Sequence, residues 1–125
     1  MDLAALRRYC ATLPGATRDV KWGADEVFSV ARKMFAVFLV EDGRARTLSF
    51  KCDPERFLEL TDQPGIVPAP YLARAHWVQV RASDALSQAE ARALVARSHA
   101  LVVARLPRKD RDALPAVSPP TRTKA

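Results

Sequence analysis

The chain has 125 residues, 49% of them hydrophobic, which fits one globular domain with its own core and excludes wholesale disorder. No apolar run approaches the ~20 residues of a membrane helix, and Met1 to Arg8 lacks a basic segment followed by an apolar one, so a cytoplasmic protein without membrane contact is expected. The net charge of +6 is unevenly spread: residues 105–125 carry +4 and residues 1–104 only +2, so overall charge says little about a DNA-binding body.

Asp2 is placed to cap a first helix with Leu3, Leu6, Tyr9 and Cys10 on one face, and Leu13-Pro14-Gly15 ends it. A short extended segment around Val20-Lys21-Trp22 and a turn at Gly23-Ala24-Asp25 lead into a β-rich centre. Glu26 to Val30 reads as a strand. Ala31-Arg32-Lys33 is a tight connection of undefined turn type. Met34 to Glu41, apolar on both faces, suits a central strand, and Asp42-Gly43 is a hairpin signal. Arg46 to Cys52 alternates, with Leu48, Phe50 and Cys52 on one face and Thr47, Ser49 and Lys51 on the other.

Asp53-Pro54 supplies a capping acid and a proline at the first helical position for a helix over Glu55 to Thr61. Asp62 to Pro70, with three prolines and a glycine, reads as a rigid loop, and Tyr71 to Ala75 as loop or a single turn. His76 to Arg81 is a further strand. Ser87-Gln88-Ala89-Glu90 is a capping box that opens the longest helix, to about Ala104, buried along Leu94, Leu101 and Val102. A short turn over Arg105 to Ala113 follows. The domain is expected to end near residue 110, with 111–125 a basic, Pro/Ser/Thr-rich disordered tail. The order helix, meander, helix, strand, helix implies an α+β domain: an antiparallel sheet with helices packed mainly on one side.

Several chemistries find no support. Cys10 and Cys52 are far apart in sequence and read as core thiols; with two histidines in the chain, no metal or cofactor site is expected. His76 shares a strand face with Val78 and reads as interior, and His99 as a surface residue of the long helix. Ser98 and His99 are adjacent and so do not face each other as a nucleophile and base would. P-loop, dinucleotide and nucleophile-elbow motifs are absent, and a non-enzymatic protein is expected.

The blocks Leu13-Pro14-Gly15-Ala16, Val20-Lys21-Trp22-Gly23, Lys33-Met34-Phe35-Ala36, Leu48-Ser49-Phe50-Lys51-Cys52-Asp53-Pro54, Pro68-Ala69-Pro70-Tyr71 and His76-Trp77-Val78 occur in an order and spacing that resemble the MmcQ/YjbR family over about residues 1–110. That resemblance implies a double-wing, frataxin-like α+β layer and a DNA-binding role, and carries no catalytic residues. Arg32, where the family often has Gly or an acid, departs from the pattern.

Two functional readings follow. In the first, Thr47, Ser49 and Lys51 share an open sheet face with Trp77, Gln79 and Arg81. Lys33, Lys51, Arg74 and Arg81 then neutralise phosphates of double-stranded DNA, while Trp77 stacks or wedges. In the second, the chain is a small-molecule or protein-interaction module. Trp22 and Tyr71 frame an apolar pocket beside the Pro-rich loop, and Lys33 or Lys51 recognises a small anion. Against this, Trp22 could instead plug the core beneath the first hairpin. A monomer is expected under either reading.

Overall fold

The computed structural model describes residues 1–115 of the chain. Asp2 caps the first helix, α1 (Leu3–Thr12), by accepting the Ala5 N–H at 3.0 Å, and Leu6 and Cys10 are buried on its inner face. Gly15, at φ +72°, turns the chain into β1 (Ala16–Lys21). A meander continues through β2 (Asp25–Val30), β3 (Lys33–Glu41) and β4 (Arg44–Lys51). Asp42 and Gly43 both have positive φ, as a primed hairpin turn requires. Ala31 and Arg32 adopt the same left-handed backbone, φ +49° and +67°, with neither Gly nor Asn to ease it.

After β4 come α2 (Pro54–Thr61), β5 (Ile66–Pro68), a single 3-10 turn (Ala73–Ala75), β6 (Trp77–Val80), α3 (Gln88–Ala104) and α4 (Arg108–Asp112). The capping box of α3 is complete: Ser87 Oγ accepts the Glu90 N–H and the Glu90 carboxylate accepts the Ser87 N–H. The six strands form one sheet in the order β1-β2-β3-β4-β6-β5, every neighbouring pair antiparallel. α1 and α3 pack on one face, over a core that includes Phe28, Phe35, Phe38, Phe50, Leu48 and Val80. The α+β architecture implied by the element order is therefore the observed one. Among the described residues no helix is long and apolar enough to cross a membrane.

Five departures from the sequence reading concern the fold itself. The Pro-rich loop contains β5, which pairs with β6 at the sheet's edge, where Pro68 can sit without breaking a central ladder. His76 is not a strand residue: it ends the 3-10 turn in a left-handed conformation, φ +64°, with its ring edge-on to Phe57. His99 is buried rather than exposed; its Nε2–H donates to the Pro14 carbonyl at 2.8 Å, and its ring stands at 89° to that of Phe35. Asp53 occupies the cap position of α2, but its carboxylate is held instead by Arg97, at 2.8 and 2.9 Å. Finally, chain contact with the core runs past residue 110: α4 brings Leu114 against Gly15 and Val30. The remainder of the expected tail, 116–125, lies outside the described residues.

One irregularity decides what the sheet presents to solvent. Phe28 pairs with Ala36 but Ser29 pairs with Met34, which leaves Phe35 as an extra residue in β3. Such a bulge resets the alternation of side chains. Phe35 and Ala36 are both taken into the core, and Met34 is turned onto the opposite face. Ser98 of α3 secures the bulge: its hydroxyl donates to the Phe35 carbonyl at 2.7 Å and accepts the Lys51 N–H at 3.0 Å.

Candidate functional site

Among the described residues, the face of the sheet away from α1 and α3 carries no α-helix. Opposed residues of an antiparallel ladder share a face. The pairs Lys51–Trp77 and Ser49–Gln79 therefore place two residues of each expected trio side by side on this open face, while Arg81 falls beyond the end of β6. The segment from Ala69 to Leu72 folds over part of it, and Val27, Val37, Ala69 and Trp77 form a small second core there, flanked by Met34, Leu39 and Leu72. Trp77 is only 5% exposed, so it does not offer the stacking surface expected of it; it is a packing residue of this second core.

One cleft opens on this face and a second lies at its margin, and Met34 lines both. The first is an apolar pocket of about 500 Å³, within the range of small-ligand sites. Val37, Leu39, Met34, Ala69, Pro70 and Leu72 form its walls, and Trp22 and Tyr71 its rim. Ser49 and Gln79 contribute its polar groups, and Asp25 lies at its side. Trp22 is 67% exposed and Tyr71 fully so, which settles the alternative of a core-plugging Trp22 against that role. Both aromatics stand on left-handed backbone, φ +51° and +66°. Non-glycine residues hold that conformation at a cost of roughly 1–2 kcal/mol each.

The second cleft lies where β3 begins and β4 ends, beside the C-terminal end of α3. Lys33, Lys51 and Arg105 converge on it, over Trp77, Val102 and Leu106. Among the described residues none of these three cations makes an ion pair with a carboxylate. Lys51 Nζ donates to the Ala75 carbonyl at 2.5 Å, and burial, followed by the nearby Arg105 charge, holds its ammonium below the ordinary lysine range. Two repelling cations without a counter-charge form a local electropositive site.

The residues singled out from the sequence thus fare differently. Lys33 and Lys51 come together. Arg74 is exposed in the 3-10 turn, next in sequence to Ala75, whose carbonyl Lys51 engages, but it does not line the cleft. Arg81 lies four residues along from Trp77, roughly 13 Å at the usual strand rise, and its Nε donates to Gln79 Oε1 at 2.7 Å; it is not part of the cluster. Sequence reasoning does not find Arg105. It follows α3 as its C-cap, and a helix end has no sequence mark that says which strand it will meet.

The YjbR family model matches residues 11–101, most of the chain and all of the sheet. The chain belongs to the YjbR family. The crystal structure of the Deinococcus radiodurans protein DR2400, which carries a DUF419 domain, is similar at a TM-score of 0.76 and 26% identity over 89% of this chain and 86% of that one. A Pseudomonas syringae protein shares the fold at a TM-score of 0.66 and 22% identity, over 81% of this chain and 98% of that one. No curated protein matches the chain. Within this YjbR domain the matched segment spans Trp22, Lys33, Lys51 and Tyr71, whereas Arg105 lies beyond it.

Proposed function

We propose that this YjbR-family protein binds DNA, without catalysing a reaction on it, and that the open face of its sheet is the contact surface. Lys33, Lys51 and Arg105 take phosphates, and Arg74 extends the contact. The observation that supports this reading is the convergence of three cations, drawn from two strands and the end of a helix, on one cleft with no carboxylate partner among the described residues. On α2, by contrast, Arg56 is paired with Glu59.

The test is a DNA titration across a salt series. Removing a cation that neutralises one phosphate should lower the slope of log affinity against log salt by about 0.9. Lys51→Ala and Arg105→Ala should each do so, and Arg81→Ala should not. Absence of binding near physiological ionic strength, or a slope that ignores Lys51 and Arg105, ends the proposal.

A second reading, a small-molecule module, is favoured by the apolar pocket at Trp22 and Tyr71. A ligand held there at a hundredfold excess over its Kd should stabilise the protein by about 2.7 kcal/mol in thermal unfolding, with no DNA present.

A further inference from the structure

The pocket and the cation cleft are neighbours, and their chemistry differs in a way that suits two parts of one ligand. Met34 forms a wall of each. Ser49 lies in the pocket and Lys51 in the cleft, two residues apart on one strand and one face, roughly 7 Å at the usual rise. The pocket is apolar with two aromatic rings at its mouth, and it has an acid, Asp25, but no cation among its lining residues. An anion is therefore disfavoured inside it and favoured just outside.

Its polar groups are also available. Gln79 Oε1 is engaged by Arg81, which fixes the amide, and among the described residues its NH₂ has no hydrogen-bond partner. The Ser49 hydroxyl likewise has none, although Ser49 is buried against the pocket. The occupant should thus be flat, apolar on its faces, able to hydrogen-bond at its edge, and joined at short range to a phosphate.

Resting on the DNA-binding reading, we propose that the pocket between Trp22 and Tyr71 takes an unpaired nucleobase. The flanking phosphate sits on Lys33, Lys51 and Arg105, so the substrate class is single-stranded rather than duplex nucleic acid. A base inside a duplex cannot enter, because its faces are already stacked and its edge paired. Stacking on exposed aromatics is the usual means of holding single strands without sequence readout. The rim supplies two exposed aromatics, both on left-handed backbone.

The test compares four ligands on the full chain by fluorescence anisotropy or calorimetry: a short single strand, the duplex of the same length, an abasic strand with the same phosphates, and adenosine monophosphate. The single strand should bind about tenfold more tightly than the abasic strand, and more tightly than the duplex. Trp22→Ala and Tyr71→Ala should each weaken single-strand binding about tenfold while leaving the salt slope unchanged. Trp22→Phe should restore most of the affinity, and circular dichroism melting should show all three variants folded.

Equal affinity for abasic and intact strands, or no effect at Trp22 and Tyr71, overturns the base pocket. If Lys51→Ala still lowers the salt slope in that case, phosphate binding stands alone. Adenosine monophosphate binding as tightly as the strand overturns the single-strand assignment in favour of a mononucleotide site. Loss of all binding, or a slope independent of Lys51 and Arg105, overturns both readings together.

Discussion

A carboxylate as buried as that of Glu26, 4% exposed, is tolerated only when guanidinium groups reach it. Arg7 from α1 pairs with it through two nitrogens, Nε at 2.9 Å, and Arg18 from β1 approaches at 2.9 Å. Hydrogen bonds from Arg7 and then Arg18 hold the Glu26 carboxyl at about 2, against an ordinary value of 4.5. The folded value lies below the unfolded one. The stabilisation is therefore complete above about pH 4.5 and is lost as pH falls from there towards 2; it is on the order of 3 kcal/mol at most. Glu26→Gln should lower stability at pH 7 by about 3 kcal/mol by leaving Arg7 without its counter-charge. In urea unfolding across pH, wild type and variant should converge on the acid side. A gap that stays constant down to pH 2 would refute the linkage.

At the scale of elements, Ser98 joins three of them. Replacing it with alanine strips partners from the Lys51 N–H and the Phe35 carbonyl at once, each inside the fold. Unmet buried groups of this kind cost about 1–3 kcal/mol each. Ser98→Ala should therefore lower the urea midpoint, and through Lys51 it should also weaken DNA binding; normal binding in a destabilised variant would separate the bulge from the site. The β2–β3 turn offers the opposite case. Arg32 is exposed at φ +67°, and Arg32→Gly should raise stability by about 1 kcal/mol, read as a higher Tm.

The elements also differ in how plainly the sequence announces them. The alternation of Thr47 to Cys52 and the Ser87–Glu90 box are local signals, and both are realised as written. β5 is hidden because Pro68 within it and Pro64 and Pro70 on either side speak for a loop, and only its edge position, set by β6, makes a strand possible. The bulge at Phe35 has no local mark at all: it arises from the pairing of β2 with β3, and it is what turns Met34 to the site. The burial of Trp77 likewise depends on the Ala69–Leu72 segment crossing the face, which alternation along β6 cannot reveal.

For the whole molecule, the distribution of charge reads differently once the chain is folded. Along the sequence most of the basic excess begins at Arg105, as if it belonged to a tail. In the fold Arg105 closes α3 and joins Lys33 and Lys51, residues of the body, at one cleft. The excess therefore divides between a cluster on the sheet and the cations further along, of which Arg122 and Lys124 fall in residues 116–125. A chain ending at Pro115 separates the two contributions. If the sheet face carries binding, that chain should still bind nucleic acid, with a salt slope reduced by about 2 at most, the share of Arg122 and Lys124. Lys51→Ala in the shortened chain should reduce the slope again, by about 0.7 on a single strand or about 0.9 on a duplex, because the two sets of cations act independently. If the shortened chain stays folded, as judged by its melting transition, yet no longer binds, the last ten residues hold the affinity and the cluster at Lys51 does not.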